Sequence, residues 1–534
     1  MARLKESDIS QGQFIAVNLG EQLLPGTFEW TLNYLIDRTD MSMFEQKYNN
    51  DEKGAAAYPP KALLKIILYC YSTGILTSRP MEKACRNNMI IKALAEDFEP
   101  DHDTIAAFIS TNNEAVNGLF VQILMQCDEL DLITGEMFGL DGCKLPSNAS
   151  KEWSGTIENL KKKKARYEKF IKKITKRHRD LDKSGDAKRK QGKYKKTMGD
   201  DKGRRERHIE RIEKKLERLK KFLDEAEPKK GPSGQEVQTN ITDPQSAKIK
   251  GPHGYIQGYN GITLADSKSQ VIICAKAAGS AESGNFSEML ESLENNMKAI
   301  NGKEKPLKKK ALCLADTGFF SEDNLQEAAK RKIEVIIPDP QFRQRDSDFD
   351  IRKEENKKTQ KRYSVEDFIY NKRKNAYTCP NCKELKYKGK MTLRNNEGYK
   401  YQASSSDCVQ CPLMEKCITL KHRKAKKSIK HARSLYIIER KYAENLSEKM
   451  KKKIDDPAYR ELYSRRQQII EPVFANITYC KGMDRFTLRG EEKVNAQWLL
   501  YSIVHNIGKC IRPIEEKIRK KHNKKAVLRL INAA

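Results

Sequence analysis

Met137-Phe-Gly-Leu-Asp-Gly142 reads as a short apolar strand that ends on a carboxylate, Asp141, before the small, polar, turn-prone run Cys143-Lys-Leu-Pro-Ser-Asn-Ala-Ser150. A buried strand that delivers an acid to a sheet edge holds a metal-ligating carboxylate rigidly. An Asp after a strand is also a common turn residue, so the stretch needs company. Two later stretches supply it. Lys310-Ala-Leu-Cys-Leu-Ala-Asp316 repeats the pattern, an apolar strand capped by Asp, and leads through Thr317-Gly-Phe-Phe into a helix opening at Ser321. Tyr463-Ser-Arg-Arg-Gln-Gln-Ile-Ile-Glu471-Pro-Val-Phe-Ala-Asn-Ile477 reads as a helix with Glu471 beside apolar residues rather than on a solvated face. Two acids at strand ends and one on a helix suit the gathering of two divalent cations around a phosphate.

Composition narrows the partners. The 534 residues predict two to four domains, and 103 Lys and Arg against 73 Asp and Glu leave +30, which points to a polyanion, most simply nucleic acid. No apolar run is long enough to cross a bilayer and no signal peptide opens the chain, so no membrane partner is expected. Thirteen cysteines, an odd number with Cys70, Cys274 and Cys313 inside apolar runs, suggest reduced thiols in a cytosol. The absence of a Gly-x-x-x-x-Gly-Lys-Ser/Thr loop fits chemistry that needs no nucleotide cofactor.

Along the chain, residues 1–130 read as helical. Thr27–Ile36 has helical spacing, Pro59-Pro60 opens an amphipathic helix that Gly74 ends, a short helix starts near Ser78, and Asp103 is placed to cap another. Residues 111–135 read as one more helix. Such short helices with tight turns suit a helix-turn-helix reader or a plain packing domain. Residues 131–156 carry the Asp141 strand. Residues 157–230 read as an inserted basic helical hairpin: Leu160, Tyr167, Ile171, Ile174 and Leu181 answer Ile209, Ile212, Leu216, Leu219 and Leu223, with a Gly- and Lys-rich mobile link from Lys183 to Arg204. Residues 231–340 return to strands and helices, with strands at Tyr255–Ala265, Gln270–Ala275, Leu312–Ala315 and Val335–Ile337.

Residues 341–460 read as a charged, loop-rich insertion holding Cys379-Pro-Asn-Cys382, Cys408-Val-Gln-Cys411 and Cys417. Paired Cys-x-x-Cys knuckles have ribbon-type spacing for a structural Zn²⁺, with Cys417 or His422 able to replace one ligand. Residues 461–534 hold the Glu471 helix, the Gly482–Gly490 loop, a closing helix through Val494, Trp498, Leu499, Ile503 and Ile507, and a basic tail.

Asp-Gly-x-Lys after one strand, Ala-Asp-x-Gly-Phe after another and Arg-Arg-x-x-Ile-Ile-Glu-Pro-Val-Phe late in the chain resemble a DDE transposase of the IS4/IS5-like insertion-sequence superfamily, closest to the IS1182-like group. Tyr58-Pro-Pro-Lys-Ala-Leu-Leu-Lys65, Phe98-Glu-Pro-Asp-His-Asp-Thr-Ile-Ala-Ala-Phe108 and Gly254-Tyr-Ile-Gln-Gly-Tyr-Asn260 extend the likeness over nearly the whole chain. The resemblance implies an α/β ribonuclease H-like core, a mixed sheet with helices whose first and fourth strands are adjacent. It adds an all-α N-terminal domain that binds terminal repeats, an inserted helical hairpin and the Cys-rich insertion. It implies a bacterial, cytoplasmic, nucleoid-associated enzyme that cleaves double-stranded DNA at its terminal inverted repeats and joins the 3′-OH ends to target DNA, acting as a homodimer on paired ends.

By the same resemblance Asp141, Asp316 and Glu471 are the catalytic acids and hold two Mg²⁺ (or Mn²⁺), while Tyr463 and Arg466 contact the DNA backbone near the cut. Lys144, Lys481, Arg485 and Arg489 are further candidate DNA contacts. Thr478 stands where many relatives have Lys, and Ala475 where the usual residue is Gly, which bears on the end-contact role. The alternatives are a ribonuclease H-like nuclease without strand transfer and an inactive or repurposed transposase that only binds DNA.

Overall fold

The computed structural model describes residues 17–48, 56–190, 202–231, 234–251, 254–301, 311–345, 363–393, 396–418, 432–438 and 445–533. Two compact units emerge: one from residues 1–153, 242–338 and 456–534, the other from 154–241 and 339–455.

The first unit is built on a mixed six-stranded sheet. Met137–Pro146 pairs antiparallel with the long strand Gly254–Asp266 on one side and parallel with Leu312–Ala315 on the other, and Leu312–Ala315 pairs parallel with Glu334–Ile336. Ala247–Gly251 and Ile272–Ala278 both pair antiparallel with Gly254–Asp266. The first strand does not stop at Asp141, as its sequence suggested. It continues to Pro146 because the Gly254–Asp266 strand offers backbone partners as far as Gly258. Leu312–Ala315 does end at its acid: Asp316 caps the following turn by accepting from the Gly318 amide at 3.4 Å, and Ser321 caps the Glu322–Lys330 helix.

The helical N-terminal region lies in this same unit. Thr27 caps Phe28–Ile36 by accepting from the Trp30 amide at 3.3 Å, and Pro60 starts Pro60–Ser72, where proline costs no hydrogen bond. The cap of His102–Thr111 is Asp101, which accepts from the Thr104 amide at 2.7 Å; Asp103, the residue expected there, lies inside the first turn. Residues expected as one helix from 111 onward form Asn113–Glu129. The closing helix, Glu491–Ala533, continues through the region read as a tail. It ties the sheet to the N-terminal helices. Its buried Asn506 accepts from the Ile272 amide at 2.8 Å and donates to the Ile272 carbonyl at 2.9 Å, standing in for a missing strand, while Tyr501 stacks on Tyr71 at 4.5 Å.

The second unit holds a helical hairpin and a small sheet. Ile157–Lys190 and Lys202–Glu225 pack antiparallel, with Leu160, Ile212, Leu216 and Leu219 buried and Phe170 edge-on to His208. The Gly- and Lys-rich link is helical as far as Lys190 and again from Lys202, and residues 191–201 lie outside the described residues. Residues 341–460, expected to be loop-rich, contain a five-stranded antiparallel sheet: Ile369–Asn371, Ala376–Thr378, Glu384–Leu393, Asn396–Gln402 and Ser434–Ile438. Leu385, Tyr401 and Leu435 form its apolar face, joined by Phe368 and Ile418. Among the described residues, no helix is long and apolar enough to cross a membrane.

Candidate functional site

Parallel pairing brings Leu140 opposite Ala315, so Asp141 and Asp316 each follow a paired position on neighbouring strands despite their distance in sequence. Helix Pro457–Ala475 packs over them. Arg466 donates from Nη1 to Asp141 Oδ2 at 2.5 Å, and its Nη2 stands 3.5 Å from Asp316 Oδ1. The guanidinium is buried, its side chain 9 % exposed, and its centre lies 5.7 Å from the Tyr463 ring. Burial alone would weaken its charge, but Asp141 in particular, with Tyr463 and Asp316, keeps it firmly protonated.

A third carboxylate completes the cluster, and it is one that motif reading missed. Glu282, in the turn before helix Phe286–Asn301, lies 3.6 Å from Lys144 Nζ, with only 12 % of its side chain exposed. Burial raises its pKa; Lys144 opposes the rise, and the charges of Asp141 and Asp316 add to it. Gly142 and Gly318, close after the two acids, both make way for it. A Cβ at Gly142 would come within 2.9 Å of Glu282 Oε1, and one at Gly318 within 2.6 Å of Oε2. Gly142, directly after Asp141, and Gly318, two residues after Asp316, were the available signal, since the turn around Glu282 carries no periodic pattern.

Asp141 is perturbed in the same sense. Burial raises its pKa and Asp316 reinforces this, while Arg466 and the Gly142 amide, which donates at 2.8 Å, pull it down. Tyr463 is likewise raised, chiefly by burial. Three acids therefore share this pocket with two cations, Arg466 and Lys144. That leaves a residual negative charge on hard oxygen donors, the donor set that suits a divalent cation. Among the described residues, no group of three or more His, Cys, Asp or Glu side chains is placed to hold a metal ion.

Glu471 lies on another face of helix Pro457–Ala475. Arg466 reaches Asp141, Ile469 covers Gly139, and the Gln468 carbonyl accepts from Gln270 at 2.9 Å, at the far end of the strand pair. The helix thus runs antiparallel to the first strand. Glu471 lies about 7.5 Å further along its axis and about 140° round from Arg466. It is exposed, contrary to the expectation of an apolar setting, because Arg466, Ile469, Ile470 and Val473 form the packed face.

The other candidate contacts are dispersed. Lys144 stays beside Glu282. Lys481 is 8 % exposed, with its ammonium 5.5 Å from the Phe28 ring centre, and burial lowers its pKa. It faces a polar cavity of about 500 Å³ shared with His505 and Lys509. Arg485 and Arg489 are exposed; Arg489 donates to the Asn148 carbonyl at 2.8 Å, and Arg485 lies 3.7 Å from Asp484.

A pair of acids on neighbouring strands, under a helix that carries Tyr and Arg, matches the sequence motifs except that the Asp141 strand runs on to Pro146, and comparison with known families agrees on the class. Residues 378–511 match the model of a transposase DDE domain, and residues 17–111 match that of a transposase domain, DUF772. The chain thus carries two transposase domains, a pairing typical of IS1182-family transposases. The first match includes Glu471 and the Cys-rich segment; Asp141 and Asp316 lie outside both. No curated protein and no solved structure matches the chain.

Proposed function

We propose that this transposase binds the ends of its own insertion sequence as a homodimer, cleaves double-stranded DNA by metal-dependent phosphoryl transfer on a ribonuclease H-like core, and joins the 3′-OH ends to target DNA. The observation that carries the reading is the parallel pairing that sets Asp141 and Asp316 side by side beneath Arg466. Asp141 and Asp316 would hold the divalent ions, which when bound activate the attacking oxygen and stabilise the leaving one.

The chain's own groups position the DNA. Arg466 bonds Asp141 and stands beside Asp316, orienting both acids, and its guanidinium is the cation nearest to a phosphate oxygen as the backbone enters. Tyr463 walls the same pocket against water. Lys144 holds Glu282 turned toward the Asp pair. Two residues compete for the role of third acid: Glu471 by motif, Glu282 by its position between Gly142 and Gly318.

The test is a Mg²⁺-dependent cleavage and joining assay on DNA carrying the element's ends, with Asp316→Asn, Glu282→Gln and Glu471→Gln alongside. Joined product from the parent and none from Asp316→Asn supports the reading. Cleavage without joining favours a nuclease, and end binding with neither reaction an inactive DNA-binding protein. Whichever Glu variant loses cleavage identifies the third acid.

A further inference from the structure

The Cys-rich sheet of the second unit contains a site that the proposed reaction does not use. Strand Ala376–Thr378 runs into a tight turn in which the Cys382 amide donates to the Cys379 carbonyl at 2.8 Å and the Lys383 amide to Cys379 Sγ at 3.3 Å. From the far side, helix Ser405–Val409 delivers Cys408, whose Sγ accepts from the Arg433 amide at 3.4 Å. Cys411 follows in a turn, and the short helix Met414–Cys417 ends on the fourth thiol. Cys379, Cys408, Cys411 and Cys417 line one cavity of about 30 Å³, space for a single water or ion. All are free thiols. Amide donors aimed at sulfur are what a thiolate ligand needs. Cys382, the obvious partner of Cys379 by spacing, is exposed and held at φ +54°.

We infer that Cys379, Cys408, Cys411 and Cys417 bind one structural Zn²⁺, and that Cys382 is not a ligand. This replaces the pairing of two Cys-x-x-Cys knuckles suggested by spacing with a one-plus-three set. His422, the other substitute that the sequence offered, lies outside the described residues. Among the described residues no group of three or more His, Cys, Asp or Glu side chains already stands in position to hold a metal, so zinc binding requires the four thiols to turn toward the cavity they line. Four thiolates select a soft, tetrahedral cation and leave no open position for chemistry, so the ion fastens the 379 turn to the 408–417 segment.

The test uses the full chain purified under reducing conditions, with metal content measured by mass spectrometry. About one zinc per chain is expected in the wild type and in Cys382→Ser, with at least a tenfold loss in Cys408→Ser and Cys417→Ser. Cobalt substitution of the wild type should give the intense thiolate charge-transfer absorption of a four-sulfur tetrahedral site. Because the serine variants can fail by misfolding, alkylation of the wild type supplies a second reading. Cys382 should react first and release no zinc, whereas modification of any of the other four thiols that line the cavity should coincide with zinc release. Zinc lost from Cys382→Ser but kept in Cys417→Ser, zinc released as Cys382 alkylates, iron in place of zinc, or a wild type that takes up no zinc from added ZnCl₂ would overturn the assignment.

Discussion

Asp141 and Asp266 lie on neighbouring strands of one ladder, Asp141 opposite Thr263 and Asp266 opposite Phe138, yet they are held in opposite ways. Asp266 is fully buried and surrounded by neutral donors: the Gly135 amide at 2.9 Å, the Thr134 amide at 3.2 Å, the Thr134 hydroxyl at 3.1 Å and the Lys268 amide at 2.9 Å. Its charge is spread over a closed set of hydrogen bonds, and its work is to fasten the strand end. Asp141 has one amide and one cation, and it faces two further acids. Two carboxylates a few residues apart are thus separated into structure and chemistry by what surrounds them. Burial alone does not distinguish them.

That contrast can be broken in several places. The largest effect is expected from Asp141→Asn or Asp316→Asn. Loss of a supporting contact to a metal ligand typically costs 10–100-fold, so loss of a ligand should cost more than about 100-fold in cleavage. The melting temperature in metal-free buffer should hold or rise. Asp266→Ala should do the reverse. Each donor left unsatisfied costs about 1–3 kcal/mol, so a loss of about 3 kcal/mol or more is expected in a denaturant titration. An Asp141→Asn protein that melts as low as Asp266→Ala would remove the distinction.

The structural end of the ladder also has its own proton. His505 is fully buried, and Nε2 donates to the Gln270 carbonyl at 2.9 Å in the turn that follows Asp266. Burial, with Lys509 adding, pushes its pKa down to about 3. The unfolded ring protonates near ~6.5 and the folded ring only near 3. Its contribution to stability is therefore full above ~6.5 and falls with pH below that, by about 2 kcal/mol at pH 5. Stability measured from pH 7 to pH 5 should show this loss, and His505→Gln should flatten it. A smaller effect, of opposite sign, is expected from Glu282→Gln. Removing one of three mutually repelling acids should raise the melting temperature in EDTA by about 1–2 °C. A fall instead would mean that the Lys144–Glu282 contact outweighs the repulsion.

Much of this was legible in the chain. Apolar runs ending in Asp141 and Asp316 announced strand-end acids, and the Arg466 helix announced a partner. What the pattern could not supply was the long antiparallel pairing that carries the first strand past Asp141 to Pro146, because it depends on a strand more than a hundred residues away. Nor could it supply the orientation of Glu471. Ile470 and Glu471 are adjacent in sequence but about 100° apart around the helix, so an apolar neighbour says nothing of the face. Glu282 was hidden for a related reason: it sits in a short turn with no period, and only Gly142 and Gly318 mark the space it fills. In the Cys-rich unit, spacing nominated Cys382, and the backbone turned it outward.

The most direct test is Mn²⁺ binding to the full chain, followed by electron paramagnetic resonance, with the wild type beside Asp141→Asn and Asp316→Asn. The account predicts saturable binding in the wild type that weakens at least about tenfold in each variant, equivalent to about 1.4 kcal/mol. Undiminished Mn²⁺ binding in both variants would show that Asp141 and Asp316 do not hold the metal, and would contradict the account.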